Sequence, residues 1–148
     1  MTNKDKKRLK KFKESIEREK KKFIGYPVNC NFDYSELFDI LSTPLNNVGD
    51  PFCSSYYGLD SREIEREVLN WFADLHSFPK DNFWGYVTNG GTEGNLYGLY
   101  LARELYPKGV VYYSQDTHYS VSKNIRVLNM EHVMIKSRRN GEMDYEDF

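Results

Sequence analysis

The chain is poor in the residues from which many sites and bilayer crossings are built. It has only two cysteines, Cys30 and Cys53, with no CxxC pair and no flanking pair of histidines. That speaks against a disulfide framework and a zinc site, and for a reducing compartment. There are three histidines, and no Ser/His/Asp or Cys/His constellation can be read around them. No apolar run approaches the length that spans a bilayer, and the first residues lack the apolar core of a secretion signal. The expectation is a soluble, cytoplasmic protein with no membrane and no metal in its chemistry. A net charge of −1 gives no overall pull toward nucleic acid or acidic substrates.

What is abundant is aromatic: 12 Tyr, 9 Phe and 2 Trp among 148 residues. Such a content argues against disorder and for large side chains that pack or line a pocket. The length suits one domain with a real core. Charge is unevenly spread. Residues 1–22 hold 11 Lys or Arg against 4 Asp or Glu, so the remainder is acidic. Good helix formers fill residues 3–23, with Leu9, Phe12, Ile16 and Phe23 as a thin apolar stripe. A basic amphipathic helix can lie on a membrane or touch nucleic acid. This one lacks a bulky apolar face and interleaved aromatics, so packing of the stripe on a neighbouring subunit is preferred.

Gly25 to Pro27 end the arm, and Asp33 or Ser35 can start a short helix through Leu41. Residues 42–60 form a loop with two prolines and two glycines, too aromatic for a flexible linker. Asp60 and Glu63 read as a helix cap and its reciprocal partner, opening a helix over 61–76. A strand is expected at 84–88, a helix from about 93 to 106, a strand over Val110–Tyr113, and a helix capped by Asp116 or Thr117. A strand over His132–Lys136 and a turn at Asn140 and Gly141 follow, and a further helix starts at Met143. This alternation implies an α/β architecture, a parallel sheet with helices on both faces. Residues 1–60 are read as arm helix and structured loop, and 61–148 as the first part of a larger domain whose sheet is incomplete.

Ligands in such sheets bind at the carboxyl ends of strands. The loop after 84–88 carries Gly90, Gly91 and Thr92. Glycines admit close approach of a ligand to the backbone, and a helix start with a capping hydroxyl attracts anions. The same residues also suit a strand-to-helix turn that binds nothing. The loop is neither a Walker motif nor a GxGxxG fingerprint, so a phosphorylated group other than a nucleotide is the better match. The next strand end holds Asp116, Thr117 and His118. His118 can be an acid or base, a metal ligand, or a flat ring against a planar ligand. His76 and His132 are read as structural.

The blocks YPVNCNFDY (26–34), LNNVGDPF (45–52), WGYVTNGGTEGN (84–95), YYSQDTHYSVSK (112–123) and NGEMDYEDF (140–148) closely resemble the bacterial-type histidine decarboxylases that depend on pyridoxal 5'-phosphate. They are similar also to plant serine decarboxylases, which GDPF is nearer to, whereas DTHYS is nearer to the histidine enzymes. Both are group II amino-acid decarboxylases of the aspartate-aminotransferase fold (fold type I), and the resemblance covers residues from about 24 to the end. It implies that Gly90, Gly91 and Thr92 hold the cofactor phosphate and that His118 stacks on its ring and lies against the substrate. Asp50, and Asn47 beside it, are implied near the substrate. The family's cofactor-linking lysine, in a Ser-x-His-Lys type motif, and the aspartate that pairs with the pyridine nitrogen have no counterpart here. The expectation is that the chain is the N-terminal portion of an oligomeric carboxy-lyase, a homodimer or larger, and is inactive alone. The full protein would turn an amino acid into its amine, histidine into histamine before serine into ethanolamine. A truncated, non-enzymatic paralogue that binds a partner subunit is the alternative.

Overall fold

In a computed structural model, residues 1–25, 29, 32–80 and 82–148 are described. Pro27, Cys30 and most of the block 26–34 lie outside them, whereas Cys53 is an exposed thiol. The chain forms two units: Met1–Asn47 with Tyr57–Asp60, and Val48–Tyr56 with Ser61–Phe148.

In the first unit, helix α1 runs over Asn3–Lys20. The Thr2 hydroxyl accepts the Asp5 amide and the Asp5 carboxylate accepts the Thr2 amide, a reciprocal cap that satisfies two amides at the helix start. Arg18 and Lys20 occupy the last turn, where cations suit the helix dipole. No residue of α1 is buried, and Leu9, Phe12 and Ile16 all stand exposed. The expected helix from Asp33 or Ser35 to Leu41 is instead two 3-10 turns, Ser35–Leu37 and Ile40–Ser42. The Asp33 carboxylate takes the Ser35 amide at 2.9 Å, and Phe38 and Thr43 bond three residues back. A side chain competing for the backbone and the shorter bonding pattern keep these residues out of a continuous α-helix.

The second unit begins with α2, Arg62–Leu75, followed by α3, Gly91–Leu105. Strand β1 (Val111–Ser114), helix α4 (Tyr119–Val127) and strand β2 (His132–Ile135) complete it. The strands pair in parallel, Val111 opposite His132 through Ser114 opposite Ile135, so β1–α4–β2 is the expected crossover unit. α3 packs against α4.

Several expectations are corrected. Residues 84–88 join no ladder among the described residues. Their anchors are side chains: the Val87 amide donates to the Glu65 carboxylate at 2.9 Å. No helix starts at Met143. Ser137 and Met143 form an antiparallel bridge, and the Asp144 amide bonds the Lys136 carbonyl, which folds this tail back beside β2. Ser61, not Asp60, is the residue from which α2 starts, because the Glu65 amide closes the first turn onto the Ser61 carbonyl. The real core expected from the length is small. Among the described residues its buried hydrophobic members are Ala73, Ile125 and Ile135, while Val133 and Met134 of β2 remain exposed. A two-stranded sheet offers too narrow a face for helices to cover much.

Ile125 and Ile135 are fully buried. Ile125→Ala is expected to lower unfolding free energy by about 2–4 kcal/mol through lost burial and the cavity left behind. Val133→Ala, on the exposed strand face, should cost under about 1 kcal/mol. Urea titration of the two variants checks the difference.

Candidate functional site

The turn before α3 is shaped by its own chain. Gly90 has φ +148°, a conformation that favours glycine, and it rather than Thr92 is the residue from which the helix starts. Thr92 therefore sits inside the first turn and is no cap. The Gly90 carbonyl accepts the amides of Glu93 at 3.0 Å and Gly94 at 3.2 Å. Gly91 and Thr92 are then the first-turn amides that the helix itself cannot satisfy. A Cβ placed on Gly90, Gly91 or Gly94 would meet nothing within 4 Å, so this side of the turn is open.

Glu93 stabilises the turn from the other side. Its carboxylate accepts the Asn89 amide at 2.8 Å and the Asn89 side-chain amide at 3.0 Å. These bonds, the backbone one first, hold its carboxyl below the ordinary glutamate value of 4.5. The nearby Tyr86 hydroxyl is pushed up, by burial first and then by the Glu93 charge.

His118 is the residue that caps α4, a role expected of Asp116 or Thr117. Its Nδ1 accepts the Ser120 amide at 3.2 Å, which leaves neither of the other two to do it. The His118 ring lies 4.4 Å, centroid to centroid, from that of Tyr119. The glycine turn and the loop after β1 are joined through polar side chains. Asn95 of α3 donates to the Ser120 hydroxyl at 2.9 Å, which lies 2.8 Å from His118 Nδ1, and Asn124 donates to the Thr92 carbonyl at 2.9 Å. Ser120 and Asn124 are buried. The glycine turn and His118 thus share one polar seam between α3 and α4.

Asp50 lies in the same unit but is engaged locally. Its carboxylate accepts Trp84 Nε1 at 2.9 Å and the Phe52 amide at 2.7 Å. Arg62, itself buried, donates to the carbonyls of Asp50 and Cys53, and Arg66 to that of Pro51, so α2 grips residues 50–53. Asn47 belongs to the first unit. Arg62, Trp84, Asn95, Ser120 and Asn124 are not among the residues expected at the site. The signal for two of them is a polar residue within an otherwise apolar helical stripe, Asn95 before Leu96 and Asn124 before Ile125. His76 ends α2 with its ring beside Phe72 and Phe78, and His132 Nδ1 lies 3.2 Å from the Met130 carbonyl. Among the described residues no three His, Cys, Asp or Glu gather as a metal site would need, and no helix is long and apolar enough to cross a membrane.

No family model matches the chain. Histidine decarboxylase of Mesorhizobium japonicum is 50% identical over 143 residues, 97% of this chain and 39% of the relative. Serine decarboxylase 3 of Oryza sativa subsp. japonica is 48% identical over 124 residues, 84% of this chain and 28% of the relative. Among solved structures, L-methionine decarboxylase from Streptomyces sp. 590 matches with a TM-score of 0.80 and 29% identity, over 89% of this chain and 30% of that one. The chain therefore spans well under half the length of these relatives. The resemblance to decarboxylases and the fold expected with it are borne out.

A depressed carboxyl stabilises above its ordinary value and ceases to as pH falls through the lowered one. Protection of the Asn89 amide from hydrogen exchange, corrected for its intrinsic rate, should hold from neutral pH down past 4.5 and be lost only below it. Glu93→Gln should reduce that protection at neutral pH and flatten its pH dependence, as read by exchange mass spectrometry.

Proposed function

We propose that this relative of histidine, serine and methionine decarboxylases forms the phosphate-anchoring and ring-facing part of a pyridoxal 5'-phosphate site. The protein that carries it decarboxylates an L-amino acid. The observation that carries the reading is the polar seam: two first-turn amides on an open glycine turn, tied by hydrogen bonds to the loop that presents His118. This donor set fits a phosphate, since unsatisfied helix amides and a neighbouring hydroxyl are what a phosphate dianion accepts from.

Gly91 and Thr92 would hold the phosphate through their amides and the Thr92 hydroxyl, with Gly90 giving the turn its shape. His118 would lie against the ring and the substrate. Asp50 and Asn47 are assigned to the substrate side on family likeness, and in this structure the Asp50 carboxylate bonds Trp84 and Phe52. Pyridoxal phosphate, when bound, supplies the electron sink that accepts the pair left behind when the carboxylate departs as carbon dioxide. No lysine of this chain stands in a Ser-x-His-Lys motif, so what these residues contribute is binding and orientation.

Histidine is the first candidate substrate and serine the second, in the order of the 50% and 48% identities. The exposed stripe of α1 supports a homo-oligomer, because Leu9, Phe12 and Ile16 gain cover only from another surface. A cytoplasmic setting fits a cofactor enzyme with an exposed free thiol at Cys53.

The intact protein carrying this chain, loaded with pyridoxal phosphate, should release carbon dioxide and histamine from L-histidine faster than it releases carbon dioxide from L-serine or L-methionine. No carbon dioxide from any amino acid would overturn the reading. Thr92→Ala should weaken cofactor retention about tenfold, as for one lost hydrogen bond to a charged group. Equilibrium dialysis of the cofactor measures it.

A further inference from the structure

We infer that Asn95 and Ser120 are positioning residues that fix the tautomer of His118, holding Nδ1 without a hydrogen and placing the ring proton on Nε2. The direction of each bond in the seam carries this. A backbone amide can only donate, and the Ser120 amide points at His118 Nδ1 at 3.2 Å, so Nδ1 accepts. The Ser120 hydroxyl lies 2.8 Å from the same nitrogen. A ring nitrogen that accepts carries no hydrogen, so in that pair the Ser120 hydroxyl donates. With its hydrogen committed to Nδ1, Ser120 Oγ offers its lone pairs, and the Asn95 side-chain NH₂ donates to it at 2.9 Å.

The relay therefore has one polarity: Asn95 to Ser120, Ser120 to His118. Ser120 is fully buried, so water does not stand in for either partner. Two donors converge on Nδ1, and a hydrogen there would face both. The edge of the ring that remains is Nε2–H, a donor. A ring whose face lies on a planar group while its edge donates can hydrogen-bond an acceptor such as a carboxylate or a cofactor oxygen. That use of the edge rests on the function proposed above; the relay does not.

The test is nitrogen and carbon NMR of the intact protein labelled in its histidines, with the His118 signals assigned by their loss in His118→Gln. The wild-type protein should show a pyridine-type Nδ1 and a pyrrole-type Nε2 at His118. A pyrrole-type Nδ1 would overturn the inference with no variant needed. Asn95→Asp keeps the shape but can only accept, so the Ser120 hydroxyl should turn toward it and the single-tautomer signature of His118 should be lost. Ser120→Ala should also produce mixed tautomers, and Ser120→Thr should restore the wild-type pattern. Unchanged spectra in both Asn95→Asp and Ser120→Ala would show that the ring is fixed by the backbone amide alone and would refute the roles given to Asn95 and Ser120. Cofactor retention is read separately by dialysis. Tautomer control without retention leaves the relay standing and removes the functional reading, and retention with the opposite tautomer does the reverse.

Discussion

The relation between the glycine turn and His118 hangs on two buried polar side chains, Ser120 and Asn124. Both lie on the face of α4 that meets α3, beside the fully buried Ile125. Buried there without partners, each would cost about 1–3 kcal/mol. Their partners are on α3: Asn95 for Ser120, and the Thr92 carbonyl for Asn124. The helices can satisfy these groups in one register, so the packing that removes Ile125 from water also fixes where the glycine turn stands relative to His118. Apolar packing alone would tolerate a slide along the helix; directional bonds do not.

A second set of polar contacts does for the loop at 48–56 what a sheet would do for a strand. Arg62 and Arg66, one turn apart on α2, donate to three carbonyls of residues 50–53. Trp84 then reaches the Asp50 carboxylate, and Glu65 takes the Val87 amide. The segment leading into the glycine turn is thus held by side chains from α2 and from the loop, with no ladder among the described residues. Glu93 finishes the turn by accepting the backbone and side-chain amides of Asn89.

Helices α1, α2, α3 and α4 and the two paired strands were legible in the chain, because apolar periodicity and good helix formers act within a few residues of themselves. The caps were less so. Asp116 and Thr117 are better capping residues by type than His118, and Asp60 is as good as Ser61, yet the start of each helix is set by which carbonyl the first turn closes onto. Met143 carries an apolar side chain at a plausible helix start, but a carbonyl left over on Lys136 beside β2 captures the Asp144 amide instead. Such competition between a local option and a distant partner is invisible in a one-dimensional pattern.

The sequence by itself determined the family likeness, the glycine turn followed by a helix, and the presence of an imidazole at the next strand end, since each is written in adjacent residues. The tertiary structure alone decided that Gly90 and not Thr92 shapes the turn, and that Asp50 is engaged by Trp84. It also decided that His118 is held through Ser120 by Asn95. The last relation spans 25 residues between Asn95 and Ser120. It exists only because α3 and α4 pack side by side, which gives a buried hydroxyl one donor to accept from and one nitrogen to donate to.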